Sequence, residues 1–316
     1  MKILITGGFG YLGGRLSQFL SNMDQYQILI ASRSSREIPV WAPNAEIVSI
    51  DWKNDQLLDQ LTNQVEIIVH MAGMNAQDCA VHPIEALEVN GIATARLIQS
   101  AIRQGVKRFI YLSTAHVYNS PLTGIITEKD CLNNLHSYAT SHRAGEDVLR
   151  SAHQRKEIEG VVIRLSNAYG PPTHADADCW MLLVNDLCHQ VVTTKRMVLR
   201  SSGLQLRDFI TLSDVCSAVE HLLKLPLEGL NDGLYNVGGS VARVINMAET
   251  IQVRCLKGLG FKPEIIYPDP VKKEASLSLD YCTNKLLATG FSIRNDRLSE
   301  IDSTLCFCNE FFGDAL

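Results

Sequence analysis

No stretch of this 316-residue chain approaches the roughly 18 consecutive apolar residues that a membrane-spanning helix needs. The apolar run after Lys2, Ile3-Leu4-Ile5, stops at glycines and is far too short for the core of an export signal. Both absences predict a cytoplasmic protein with no membrane partner. An excess of cations is also missing: 29 Lys and Arg stand against 34 Asp and Glu, for a net charge of −5. A nucleic-acid partner is therefore not expected, because nothing would neutralise its phosphates. No Cys-x-x-Cys pair occurs. The nine cysteines are scattered from Cys79 to Cys308 and read as free thiols of a reducing compartment. Cys306-Phe307-Cys308, the one close pair, has no nearby histidines and reads as packing, so no metal is expected. Internal repeats and low-complexity segments are absent.

What remains is an alternation of strand and helix patterns. Lys2–Thr6, Gln27–Ala31, Ala45–Ile50, Glu66–His70, Arg108–Ser113 and Val161–Leu165 read as strands. Helical periodicity covers Tyr11–Asn22, Asp55–Leu61, Pro83–Gln104 and Tyr138–His153 between them. Such alternation predicts an α/β fold: a Rossmann-type, doubly wound parallel sheet covered on both faces. After Asn167 the pattern loosens. Helices are predicted over Trp180–Gln190 and Ser213–Lys224, and Pro263, Pro268 and Pro270 mark a loop-rich stretch near the carboxyl end. The expected division is a dinucleotide-binding domain over residues 1–166 and a smaller carboxyl-terminal substrate domain over 167–316, with segments around 207–224 returning to the first.

Gly7-Gly8-Phe9-Gly10-Tyr11-Leu12-Gly13 joins the first strand to the first helix with glycines three apart. Glycines there permit a tight turn and close backbone approach, and the helix amino terminus offers N–H groups to a pyrophosphate. Strand, loop, helix and following strand together raise this above a plain glycine turn. After the second strand, where an acidic residue would hold the ribose hydroxyls of NAD, the chain reads Ser32-Arg33-Ser34-Ser35-Arg36. Arg33 and Arg36 either favour the 2′-phosphate of NADP or form a solvated basic turn. Asp51, before Trp52, reads either as an adenine contact or as a turn residue.

In this order the chain resembles the extended short-chain dehydrogenase/reductases, the NAD(P)-dependent nucleotide-sugar epimerase/dehydratase group. The matching segments are the glycine loop, Asp51, His70-Met71-Ala72-Gly73, Asn90, Ser113-Thr114 with Val117-Tyr118, Tyr138, Arg164 to Pro171, Arg207-Asp208-Phe209-Ile210 and Tyr235 to Gly239. The resemblance implies a cofactor, NAD or NADP, held by Gly7, Gly10, Tyr11, Leu12, Gly13, Ser32, Arg33, Asp51, Trp52, Met71, Ala72, Gly73, Asn90, Tyr138 and His142. It implies Tyr138 as acid/base, Thr114 as its hydrogen-bonding partner at the same sugar oxygen, and Asn167 and Arg207 as contacts of a nucleotide-sugar substrate. Trp180 and Asn185 fall near the base-binding helix, and a homodimer through Pro83–Gln104 and Tyr138–His153 is implied.

One departure stands out. The family places a lysine four residues after the tyrosine, and this chain has His142. A histidine has an ordinary pKa near 6.5 and is mostly neutral at pH 7. Three readings stand: a working substitute with an acid-shifted pH optimum, a charge supplied instead by Arg143, or a cofactor-binding protein without fast turnover. The Asp-Glu pair that dehydratases carry after the threonine is Ala115-His116 here, which disfavours dehydration. The expected activity is hydride transfer at a sugar carbon, as a 4-epimerase or 4-ketoreductase. The alternative is a non-catalytic sensor of cofactor or sugar nucleotide.

Overall fold

The strands predicted from β-branched, apolar runs assemble side by side: β1 (Lys2–Thr6), β2 (Gln27–Ser32), β3 (Glu46–Ser49), β4 (Ile67–His70) and β5 (Arg108–Thr114). With Glu159–Leu165 and Leu234–Val237 they form a seven-stranded sheet in the order Leu234–Val237, Glu159–Leu165, β5, β4, β1, β2, β3. All pairings are parallel, and Ile5 lies opposite both Ile30 and Val69. The order reverses at β1, and the crevice beyond the carboxyl ends of β1 and β4 is where such sheets place their ligands. The structure, a computed structural model, describes residues 1–268 and 278–313. Pro270, one of the three loop-marking prolines, lies outside them.

Alternate residues of each strand face opposite layers. Ile3 and Ile5 pack with Leu16 and Leu20 of helix α1 (Tyr11–Ser21), whereas Leu4 packs with Leu97, Ile98 and Leu149 on the other face. Val215, Val219 and Leu222 of the Leu212–Lys224 helix join the first layer, so a late segment returns to the sheet. A separate cluster holds Val184, Leu187, Met247, Ile251, Ile301 and Leu305, brought by the Leu183–Thr194, Val244–Leu259 and Arg297–Phe312 helices.

Pro263 and Pro268 lie in loop on either side of a short strand, Glu264–Ile266. Before them a helix went unread: Val244, Met247, Ala248, Ile251 and Cys255 form one buried helical stripe. Two expectations need correcting. The helix expected from Trp180 begins at Leu183, because Cys179–Leu182 closes as a turn, Leu182 N–H to Cys179 O at 3.1 Å. The helix expected over Pro83–Gln104 is continuous through Arg103 but holds a π-helical segment, Leu87–Ala93, which contains Asn90. Such widened turns recur where a helix must aim a side chain or backbone group. Against this segment lies Gly145, where a Cβ would come within 3.0 Å of both Asn90 O and Tyr111 Oη. The close approach requires glycine there.

Candidate active site

The turn after β1 is shaped by the absence of side chains. Gly7 has φ +70°, and a Cβ on it would lie 2.7 Å from Ala72 N. One on Gly13 would lie 2.2 Å from Gly7 O. Both glycines therefore pack turn, helix and neighbouring strand together. Gly10 differs: it is exposed, has an ordinary extended conformation, and caps α1 with no side chain to satisfy the first-turn N–H groups. Those donors, at the positive end of the helix, face the crevice. A pyrophosphate suits this cradle, and bulk at Gly10 would fill it.

From the cradle the crevice runs in two directions. One arm is lined by Gly7, Gly10, Ser32, Arg33, Arg36, Trp52 and the Met71–Asn75 segment. Ser32 is buried and folds its hydroxyl onto Ser34 O at 2.7 Å, which leaves Arg33 at the rim. The Arg36 guanidinium lies over the Phe9 ring at 4.6 Å. Asp51 is absent from this lining. Its carboxylate accepts the Lys53 N–H at 2.9 Å through Oδ1. Asn90 also stands behind the wall, fully buried. Its Oδ1 accepts the Met74 N–H at 2.8 Å and its Nδ2 donates to Ser141 Oγ at 3.0 Å, so it shapes the Met71–Asn75 loop from below. Thr6 Oγ1 similarly accepts from Met71 and Ala72 N–H.

The other arm, a cleft of about 430 Å³, brings together Leu12, Gly73, Thr114, His116, Tyr138, His142, Asn167 and Arg207. Thr114 ends β5. Tyr138 opens the Ser137–Gln154 helix, whose amino terminus is capped by His136 Nδ1 accepting the Tyr138 N–H at 3.1 Å. Ser113, next to Thr114, is tied to Glu146 on that helix at 2.5 Å, and Glu146 forms a buried ion pair with Arg164 of the adjacent strand, Nη2 to Oε2 2.6 Å. Strand and helix are thus pinned together directly beneath the Thr114–Tyr138 pair. Tyr11 Oη donates to Gly170 O at 3.0 Å, bridging the cradle to the later half. Asn185 is buried and engaged with Gly170, so it supports that turn rather than facing a ligand. Trp180 packs its ring on Phe312, centroids 4.9 Å apart, outside the cleft, whereas Met181 and Leu182 line it. Asn167 donates to Asp208 O at 2.8 Å, and Arg207 has no ion-pair partner among the described residues.

The surroundings of His142 bear on its readings. Its ring meets Tyr138 edge to face, centroids 4.6 Å apart, and its Nδ1 lies 2.8 Å from Tyr111 Oη. Burial depresses its pKa to about 4, so it is a neutral imidazole at pH 7. Desolvation disfavours an imidazolium here, which argues against an acid-shifted optimum. Arg143 does not replace the charge. It is exposed, pairs with Asp147 at 3.7 Å and donates to Leu132 O. Tyr138 is only partly covered as a residue, yet loss of water around its hydroxyl pushes its pKa up, with the Thr114 hydroxyl working the other way. His116, at the cleft, is held below its usual pKa by burial and by the neighbouring Arg207 charge. Tyr111 is the site residue sequence reasoning missed: a lone tyrosine in an apolar strand reads as core.

A parallel sheet ordered this way, with a glycine cradle at its reversal point and a threonine at the end of β5 sharing a cleft with a tyrosine of the following helix, defines an extended short-chain dehydrogenase/reductase. The chain belongs to the NAD dependent epimerase/dehydratase family, whose model matches residues 3–238. Among curated proteins it is similar to the low-salt glycan biosynthesis protein Agl12 of Haloferax volcanii, 26% identical over 76% of this chain and 78% of that one. It is likewise similar to a dTDP-glucose 4,6-dehydratase of Streptomyces niveus, 26% identical over 93% and 88%. Among solved structures, a UDP-glucose 4-epimerase of Thermotoga maritima with UDP-glucose superposes with a TM-score of 0.79 at 18% identity, over 98% and 99% of the two chains. No described helix is long and apolar enough to cross a membrane.

Proposed function

We propose that this protein is a nicotinamide-dinucleotide-dependent enzyme that moves hydride at a secondary alcohol or ketone carbon of a nucleotide-linked sugar, as a 4-epimerase or 4-ketoreductase. The observation that carries this reading is the convergence of the glycine cradle, Thr114, Tyr138 and the unpaired Arg207 on one crevice. When bound there, the dinucleotide supplies the hydride acceptor or donor. Tyr138 exchanges the hydroxyl proton and Thr114 hydrogen-bonds the same oxygen. Arg207 meets the diphosphate with its planar fork, and Asn167 flanks it. Ala115 and His116 place no carboxylate after Thr114, which supports oxidation and reduction over elimination.

The Arg33–Arg36 rim supports acceptance of the 2′-phosphate of NADP, with NAD as the other form. Residues 1–166, joined by 207–224, form the cofactor half, and the remainder of 167–316 covers the substrate. Ile84, Leu87 and Ile92 on the Pro83–Arg103 helix, with Leu135 beside the Ser137–Gln154 helix, are exposed and suit a second copy of this chain, so a homodimer is expected in light scattering. Nine free cysteines agree with a cytoplasmic setting. The test is a panel of nucleotide sugars offered to purified protein with NAD or NADP. Turnover of at least one, reduced about 10²- to 10⁴-fold by Tyr138→Phe, is expected. Tight cofactor binding without turnover on any would return the sensor reading.

A further inference from the structure

The hydrogen bonds beneath the cleft assign donor and acceptor roles by elimination. Thr6 Oγ1 accepts from the Met71 and Ala72 N–H groups, so its one proton goes to His70 Nδ1, 2.6 Å away. His70 then carries its proton on Nε2 and donates it to Thr94 Oγ1 at 2.8 Å. Thr94 in turn donates to Asn90 O at 2.8 Å. That carbonyl already has a close donor and lies 3.5 Å from Tyr111 Oη, beyond the usual range, whereas His142 Nδ1 lies at 2.8 Å. The Tyr111 hydroxyl therefore donates to His142 Nδ1, and His142 carries its own proton on Nε2.

The other edge of the ring faces the cavity. His142 lines the cleft beside Tyr138, its Cε1 comes within 3.7 Å of where a Cβ on Gly73 would stand, and Nδ1 makes its one nitrogen hydrogen bond among the described residues. The titratable groups around it are Tyr111 beneath, Tyr138 one turn back on the same helix, and His70 from β4. Tyr111 stays a phenol, since burial first and the nearby Glu146 charge second raise its pKa well above the ordinary value. Among the described residues no acid is hydrogen-bonded or ion-paired with His142 to make it a cation.

We propose that Tyr111 is a positioning residue: it locks His142 as the Nε2–H tautomer and so presents one neutral, directed donor to the ribose oxygens of the bound dinucleotide. This deepens the functional reading above and rests on it for the identity of the acceptor. A lysine can rotate three donors on a flexible stem, whereas an imidazole must be held in one tautomer and one orientation to do the same work. The pair is accordingly a unit, in which the strand tyrosine makes the helix histidine useful.

The tautomer is read directly from ¹⁵N-histidine spectra of the cofactor-free protein, with the His142 signal identified by its loss in His142→Gln. The expected result is an Nε2-protonated neutral ring at pH 7 that shifts toward the Nδ1–H form in Tyr111→Phe. An Nδ1–H ring or a doubly protonated ring in the wild type overturns the proposal. Dinucleotide affinity, measured by titration calorimetry, is expected to fall about tenfold in Tyr111→Phe, the worth of one directed hydrogen bond. In a His142→Lys background the same substitution is expected to cost less than twofold. An equal loss in both backgrounds would mean that Tyr111 acts only through packing, and overturns the proposal. Failure of the wild type to bind any nicotinamide dinucleotide would instead sink the functional reading, while the tautomer result stands by itself.

Discussion

Tyr138 and His142, one helical turn apart, meet edge to face with ring centroids 4.6 Å apart, and neither carries charge at neutral pH. The proposed acid/base thus has a neutral neighbour where the family pattern places a lysine. Desolvation raises its pKa, and the protein offers only the Thr114 hydroxyl against it.

An alkaline rate profile follows. Tyr138 accepts a proton only as a phenolate, and a raised pKa makes that form scarcer at pH 7. kcat for substrate oxidation is expected to climb through pH 8 and 9 rather than level off near neutrality. His142→Lys restores a nearby cation, and the climb should then move to lower pH with higher activity at pH 7. A wild-type optimum below pH 7 would contradict this.

Acid should destabilise the fold. His70 and His142 are buried, with pKa values depressed to about 3 and about 4 from 6.5. Above pH 6.5 both are neutral in the folded and unfolded chains, and their contribution is fully present. Below it the unfolded chain binds protons that the folded one refuses, so stability is lost as pH falls toward the folded values. Each histidine should cost roughly 2 kcal/mol between about pH 6.5 and about pH 5. Urea denaturation across that range measures it, and His70→Gln should flatten the slope.

The buried Glu146–Arg164 pair holds the strand end to the catalytic helix. Glu146→Ala strands the Arg164 guanidinium, which is 1% exposed, and should cost about 3–5 kcal/mol in chemical denaturation. Replacing both partners with apolar residues should recover much of the loss. If Glu146→Ala were neutral, the pair would not be what fixes Thr114 against Tyr138.

Arg207→Ala should raise KM for the nucleotide sugar roughly 10- to 100-fold, the range for losing hydrogen bonds to a charged group. Little change in kcat is expected, since the proposed contact is to the diphosphate rather than to the reacting carbon. An unchanged KM would remove Arg207 from the binding role.

Much of this was legible in the chain itself, for reasons that differ by residue. The parallel sheet shows because its strands are buried on both faces and read as apolar runs. The glycine cradle shows because backbone proximity forbids side chains at Gly7 and Gly13, and the Tyr138–His142 pair because four residues make one helical turn. Other features had no local signature. Asp51 could be an adenine contact or a turn residue, and its bond to Lys53 N–H could not be read from the chain. Asn90 acts from behind the wall through a π-helical segment, which depends on packing against the Ser137–Gln154 helix. Tyr111 hides in an apolar strand, since a pattern shows which face a residue takes but not what its hydroxyl meets. The Val244–Leu259 helix did carry a readable stripe and was masked by the prolines that follow it.

The most direct test addresses the cradle. Gly10 is exposed, with a backbone conformation open to any residue, and a Cβ there would meet Gly7 O at 3.1 Å, so Gly10→Leu should fold with at most a small drop in thermal midpoint while its side chain fills the space over the first turn of α1. Titration calorimetry with NAD and NADP is expected to show affinity reduced about a hundredfold or more, equivalent to about 2.7 kcal/mol. A folded variant that binds both dinucleotides as tightly as the wild type would contradict the account.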